Sequence, residues 1–137
     1  NADPSGTYGQ FVPTLPPGDE IRSGEAAVLA GLKSASGFRT NLGMTSFSAA
    51  DITVTVRAFA NDGGLIGELD VLVPAQRFVQ VERLLAGQLG FIGTAWATVS
   101  SVDDGALYSA HASVIDGESG DPIYIPAVVR EVTAGGL

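Results

Sequence analysis

The run Asp51-Ile52-Thr53-Val54-Thr55-Val56-Arg57-Ala58 alternates polar and apolar residues without a break. Successive side chains of a β-strand point to opposite faces. Ile52, Val54, Val56 and Ala58 therefore share one face, and Asp51, Thr53, Thr55 and Arg57 the other. On a helix, with its period of about 3.6, the same apolar residues would be scattered around the circumference. The segment predicts a half-buried strand, with Val54 and Val56 in a core and Thr53 and Thr55 on the opposite face.

The same period recurs along the chain. It predicts strands at about Ala26–Leu32, Phe38–Ser46, Asp51–Phe59, Leu65–Val73, Arg77–Val81, Thr94–Ser101, Ala106–Asp116 and Ile123–Val129. Ala95, Ala97 and Val99 should face inward, leaving Trp96 and Thr98 outward; Ala110, Ala112 and Val114 should do the same, leaving His111, Ser113 and Ile115 outward. Turn chemistry separates the runs at Asn61-Asp62-Gly63-Gly64, Val102-Asp103-Asp104-Gly105 and Gly117-Glu118-Ser119-Gly120-Asp121-Pro122. The single helix-like piece, Val81-Glu82-Arg83-Leu84-Leu85-Ala86, is short enough to be a crossing from one sheet to another. Short strands at turn-to-turn intervals of about ten residues predict an all-β fold, a two-sheet antiparallel β-sandwich of about eight strands.

Residues 1–24 read differently. Tyr8-Gly9-Gln10-Phe11-Val12 is a short strand-like run closed by Pro13, and Leu15-Pro16-Pro17-Gly18-Asp19-Glu20 is a stiff, extended spacer. The organisation expected is thus an N-terminal strand and linker over 1–24, detached from a sandwich over 25–137. Tyr8-Gly9-Gln10-Phe11-Val12-Pro13 partly echoes Ile123-Tyr124-Ile125-Pro126 near the other end of the chain. Such a segment can pair with its own sheet, or it can complete the sheet of a neighbour. Tyr8, Gln10, Phe11 and Val12 are accordingly the candidate interaction residues. The chain opens on Asn1 and carries no charged-then-apolar leader, as expected of a processed mature chain or an excised fragment.

Composition narrows the function. Of the 137 residues, 45% are hydrophobic and only 16% charged, against about a quarter charged in ordinary globular chains. A surface built on Ser, Thr, Gly and Ala suits packing against neighbours. The net charge of −8 and a single lysine, Lys33, argue against nucleic acid and anionic membranes as partners. With no cysteine, disulfides, zinc-thiolate sites and thiol nucleophiles are excluded. No apolar run approaches the roughly 20 residues that span a bilayer.

Few residues offer chemistry. His111 is the only histidine. Ser109 or Ser113 and Asp116 could be forced into a triad with it, but neighbours on one strand give no nucleophile elbow and no oxyanion donors. The plainer expectation is an outward strand histidine near Trp96. Glu68 and Asp70 share a strand face, which paired-carboxylate hydrolysis would need, though a solvated face is the commoner use. Asp116, Glu118 and Asp121 crowd one turn and are the only candidates for a cofactor, a calcium ion; the plainer reading is a turn that Asp121 orders before Pro122. Gly63-Gly64-Leu65-Ile66-Gly67 opens a strand, so it has no helix N-terminus with which to hold a phosphate.

Several segments recur in the same order in a known bacterial repeat: Phe38-Arg39-Thr40-Asn41-Leu42-Gly43, the Asp62-Gly63 hairpin, Phe78-Val79-Gln80-Val81, Ala110-His111-Ala112-Ser113-Val114-Ile115-Asp116, and Ser119-Gly120-Asp121-Pro122-Ile123-Tyr124-Ile125-Pro126-Ala127. Over about residues 25–127 the chain resembles the immunoglobulin-like β-sandwich repeats of bacterial secreted proteases and cell-surface proteins. In those repeats a tyrosine often stands where this chain has His111. The resemblance implies an extracellular or cell-surface module without catalysis. Two functions follow as expectations: a structural subunit that self-assembles into a filament or surface layer by strand addition, or an accessory adhesion or spacer module of a larger secreted protein. A small hydrolase is the least favoured.

Overall fold

The computed structural model describes residues 20–130. Two antiparallel sheets, each of five strands, pack face to face as a β-sandwich. In chain order the strands are β1 (Ile21–Arg22), β2 (Ala26–Lys33), β3 (Phe38–Ser46), β4 (Ile52–Ala60), β5 (Leu65–Val73), β6 (Phe78–Val81), β7 (Thr94–Ser100), β8 (Leu107–Asp116), β9 (Pro122–Pro126) and β10 (Val128–Arg130). The first sheet runs β1-β8-β3-β6, with β9 also on β8; the second runs β10-β2-β7-β4-β5.

The alternation carries the core. Ile52, Val54, Val56 and Ala58 of β4 are buried, as are Ala95, Ala97 and Val99 of β7 and Ala110, Ala112 and Val114 of β8. Leu29, Leu32, Leu42, Met44 and Tyr108 join them between the sheets. Each large apolar side chain removed from water contributes roughly 1.5–3 kcal/mol.

The β4–β5 hairpin turns where the sequence predicts. Gly63 N–H donates to the Ala60 carbonyl at 2.8 Å, Asp62 Oδ1 accepts the Gly64 N–H at 2.9 Å, and Gly63 takes φ 94, which a side chain would resist. The β8–β9 turn closes with Gly120 N–H on the Asp116 carbonyl at 2.7 Å.

Three features depart from the expectation. The last strand is not continuous over Ile123–Val129. It breaks at Pro126–Ala127, so that β9 pairs with β8 and β10 pairs with β2 in the other sheet. A proline cannot donate to a ladder, and this one marks the place where the chain changes sheets. The alternation starts the body near Glu25, yet Ile21 is fully buried upstream of that point and pairs with Tyr108. Only two residues of β1 are paired, too few for a period to be visible. Finally, the helix-like piece lies further on than expected: Val81 ends β6, and a π-helical turn spans Leu84–Gln88, burying Leu84 and Leu85. It does lie on the crossing from the first sheet to the second.

Candidate functional site

The edges of the sheets are the first place to look, because unpaired backbone there can accept another chain. Among the described residues β10 and β6 are edge strands of only three and four residues, and β9 has five. β5 is different. It has nine residues and pairs only with β4, so its outer side is open along its whole length among the described residues. Its inward side chains Leu69, Val71 and Val73 pack on the core. Leu65 and Leu72 remain 58% and 59% exposed. Two devices temper this edge: a register shift between Ala58 and Phe59 bends the β4–β5 pair, and Glu68 and Asp70 put charge on the outer face.

Those two carboxylates do share a face, as predicted, but each already has a partner. Arg57 Nε lies 3.4 Å from Glu68 Oε1, both side chains being about half exposed, and Thr55 Oγ1 donates to Asp70 Oδ1 at 2.9 Å. Cross-strand pairs of this kind steady a sheet face and are worth roughly 0.2–1 kcal/mol.

His111 lies on the outer face of the first sheet. It sits directly across the ladder from Gly43 and lies between two aromatic neighbours, stacked with Phe78 at 6.2 Å and tilted against Tyr124 at 4.9 Å between ring centroids. The expected neighbour, Trp96, is on the other sheet and stacks on Phe59 at 4.3 Å. Strand alternation gave the direction of the side chain correctly; which sheet it lay on depended on strand order, which periodicity does not carry. Burial among the rings pushes the imidazole pKa below its ordinary value. Ser113 is two positions along the same strand, and Asp116 Oδ1 instead accepts the Glu118 N–H at 2.9 Å. The three residues are thus not arranged as a relay.

The acidic turn is likewise organised by its backbone. Besides the Glu118 contact, Asp116 N–H donates to the Asp121 carbonyl and Asp121 N–H to Ser119 Oγ, both at 3.2 Å. Among the described residues no three His, Asp or Glu side chains are gathered to hold a metal ion, so Asp116, Glu118 and Asp121 are brought into one turn but not into one coordination shell. Tyr8, Gln10, Phe11 and Val12 lie outside the described residues.

No protein-family model and no curated protein matches this chain. The chain is similar in structure to Thermotoga maritima 1070. The TM-score is 0.58 at 7% sequence identity, over 80% of this chain and 96% of that one. At that identity the likeness shows the fold alone, and it agrees with the two-sheet all-β architecture. No helix among the described residues is long and apolar enough to cross a membrane.

Sequence reasoning missed that β5 is the longest strand left open on one side among the described residues. Its alternation was visible, but the edge position depends on which strands flank it. It also missed the pairing of Gly43 with His111. An unexplained glycine inside a strand pattern, facing the chain's only histidine in register, is the signal that could have found it.

Proposed function

We propose that this protein is a non-catalytic structural subunit, extracellular or at the cell surface, that self-assembles by strand addition. In this reading the Tyr8–Val12 segment of one copy pairs along β5 of the next. The observation that carries it is the nine-residue edge of β5, open on its outer side among the described residues, in a chain whose other strand-like segment is set off by a Pro-Pro-Gly spacer. Main-chain hydrogen bonds supply the affinity of strand addition, and alternate side chains supply its specificity. Phe11 on the incoming strand is suited to meet one of the two exposed leucines of the receiving strand, Leu65 or Leu72. The charge-poor composition suits a surface that packs against neighbouring copies.

A second reading is favoured by a different observation. Gln10-Phe11-Val12-Pro13 repeats the aromatic–aliphatic–Pro order of Ile123-Tyr124-Ile125-Pro126, and the latter forms β9 on the flank of β8. In a tandem array the former would close a preceding repeat in the same way. The protein would then be an accessory adhesion or spacer module of a larger secreted bacterial protein, in keeping with the immunoglobulin-like repeats it resembles.

Sedimentation of the full chain and of a form lacking residues 1–13 separates the two. Self-assembly by strand donation predicts oligomers of the full chain and a folded monomer after truncation. Assemblies of unchanged size after truncation contradict it. A full chain that is monomeric at all concentrations favours the module.

A further inference from the structure

At the end of the sandwich where β6 stops short, β3 runs on past its partner: β6 pairs only with Leu42–Thr45, leaving the Phe38–Asn41 side to the π-helical turn. A cavity of about 250 Å³ opens there. Phe38 and Ile92 form an apolar wall, and Arg39 and Arg83 bring two of the chain's seven Lys and Arg residues to its lining. Lys33 adds a third cation at its margin, with Nζ 4.1 Å from the centre of the Phe38 ring.

The other polar groups in this lining are already satisfied. Ser34 Oγ donates to the Phe91 carbonyl at 2.8 Å, and Thr40 Oγ1 donates to the Lys33 carbonyl at 2.8 Å. Neither Arg39 nor Arg83 makes an ion pair among the described residues. The nearest acid across the ladder, Asp116 opposite Phe38, turns its carboxylate to the Glu118 N–H. Arg83 holds a left-handed backbone, φ 53 and ψ 54, uncommon for a residue with a side chain, and its N–H is fixed on Asn41 Oδ1 at 2.9 Å. The position of its backbone beside β3 is therefore set by the fold. In a chain of net charge −8, two exposed arginines without an ion pair among the described residues, both lining one cavity, are a concentration of positive charge against the overall sign.

From this geometry we infer that the Arg39–Arg83 cavity binds a small organic carboxylate. Guanidinium groups present a fork of donors that matches a carboxylate. The apolar wall of Phe38 and Ile92 asks for a hydrocarbon body behind that carboxylate. The volume is below the roughly 300 Å³ at which drug-sized pockets begin, so the ligand is small.

Isothermal titration of the full chain with benzoate, and separately with inorganic phosphate, tests this. Saturable benzoate binding is expected, weakened at least about tenfold by Arg39→Gln and by Arg83→Gln and unchanged by Arg57→Gln, which lies on the other sheet; circular dichroism of each variant verifies its fold. Phosphate, which cannot cover Phe38 or Ile92, should bind about tenfold more weakly. Absent or non-saturable benzoate binding would overturn the site. Equal loss in Arg57→Gln would reduce it to general charge. Phosphate binding as tight as benzoate would overturn the ligand class.

Discussion

Gly43 and His111 face each other across the β3–β8 ladder, and the imidazole fills the space that a side chain at Gly43 would take. A Cβ built on Gly43 would lie 2.6 Å from His111 Cε1 and 3.0 Å from Phe78 Cε1. Movement of the ring is hindered, because Phe78 is stacked with it on one side and Tyr124 leans on it from the other. Gly43→Ala should therefore destabilise the domain by about 1–3 kcal/mol, the ordinary cost of overpacking. Removing the obstacle as well, in Gly43→Ala with His111→Ala, should recover most of that loss. Urea midpoints of the two single variants and the double variant measure the coupling; strictly additive losses would show that the two residues do not compete for this space.

The same burial makes His111 a source of pH dependence. Its folded pKa is lowered by desolvation, whereas the unfolded imidazole titrates near 6.5. Above that value both states are neutral and pH has no effect through this group. As pH falls below it, the unfolded chain takes up a proton that the folded ring resists, so stability falls. Urea midpoints at pH 7.5 and 5.5 should drop more for the parent than for His111→Gln. Equal drops would place the pH dependence elsewhere.

Much of the core can be read from alternation. The strict run from Asp51 to Ala58 names the buried face of β4, and Val54 and Val56 are fully buried there. What alternation cannot carry is strand order. Nothing local says that β4 has β7 on one side and β5 on the other, so the face of Trp96 could be predicted but not its neighbour, Phe59. Likewise Arg39 and Arg83 meet one cavity only because the π-helical turn folds over the end of β3. The switch of sheets at Pro126 was written in the proline, and the two-residue β1 was too short to write anything.

A substitution pair on β4 tests the assignment of faces. Val56→Asp would bury a charge with no partner and should cost several kcal/mol, comparable to the stability of a whole domain. Thr55→Asp would remove the hydroxyl that donates to Asp70 and set a carboxylate opposite it, costing roughly 0.2–1 kcal/mol. Circular dichroism melts of both read the difference. A Val56→Asp protein as stable as its parent would mean that the core lies elsewhere.

Tyr108 presents a different case. Its ring is fully buried, and its hydroxyl has no hydrogen-bond partner among the described residues. Burial, aided by the negative charge of Glu25, raises its pKa well beyond the ordinary phenol value. An unsatisfied buried hydroxyl costs about 1–3 kcal/mol, so Tyr108→Phe should leave stability unchanged or raise it by about 1 kcal/mol. A loss larger than about 1 kcal/mol on denaturation would show that the hydroxyl is hydrogen-bonded, for instance to a buried water.

The most direct measurement of strand addition is backbone hydrogen exchange along β5. The proposal puts the Tyr8–Val12 segment of a neighbouring copy on the outer edge of Leu65–Val73, where half of the amides face away from β4. In the full chain those outward amides should exchange more slowly as protein concentration rises. In the form lacking residues 1–13 they should exchange rapidly at every concentration. Outward β5 amides that exchange at the same rate in both forms, at all concentrations, would contradict assembly by strand donation to this edge.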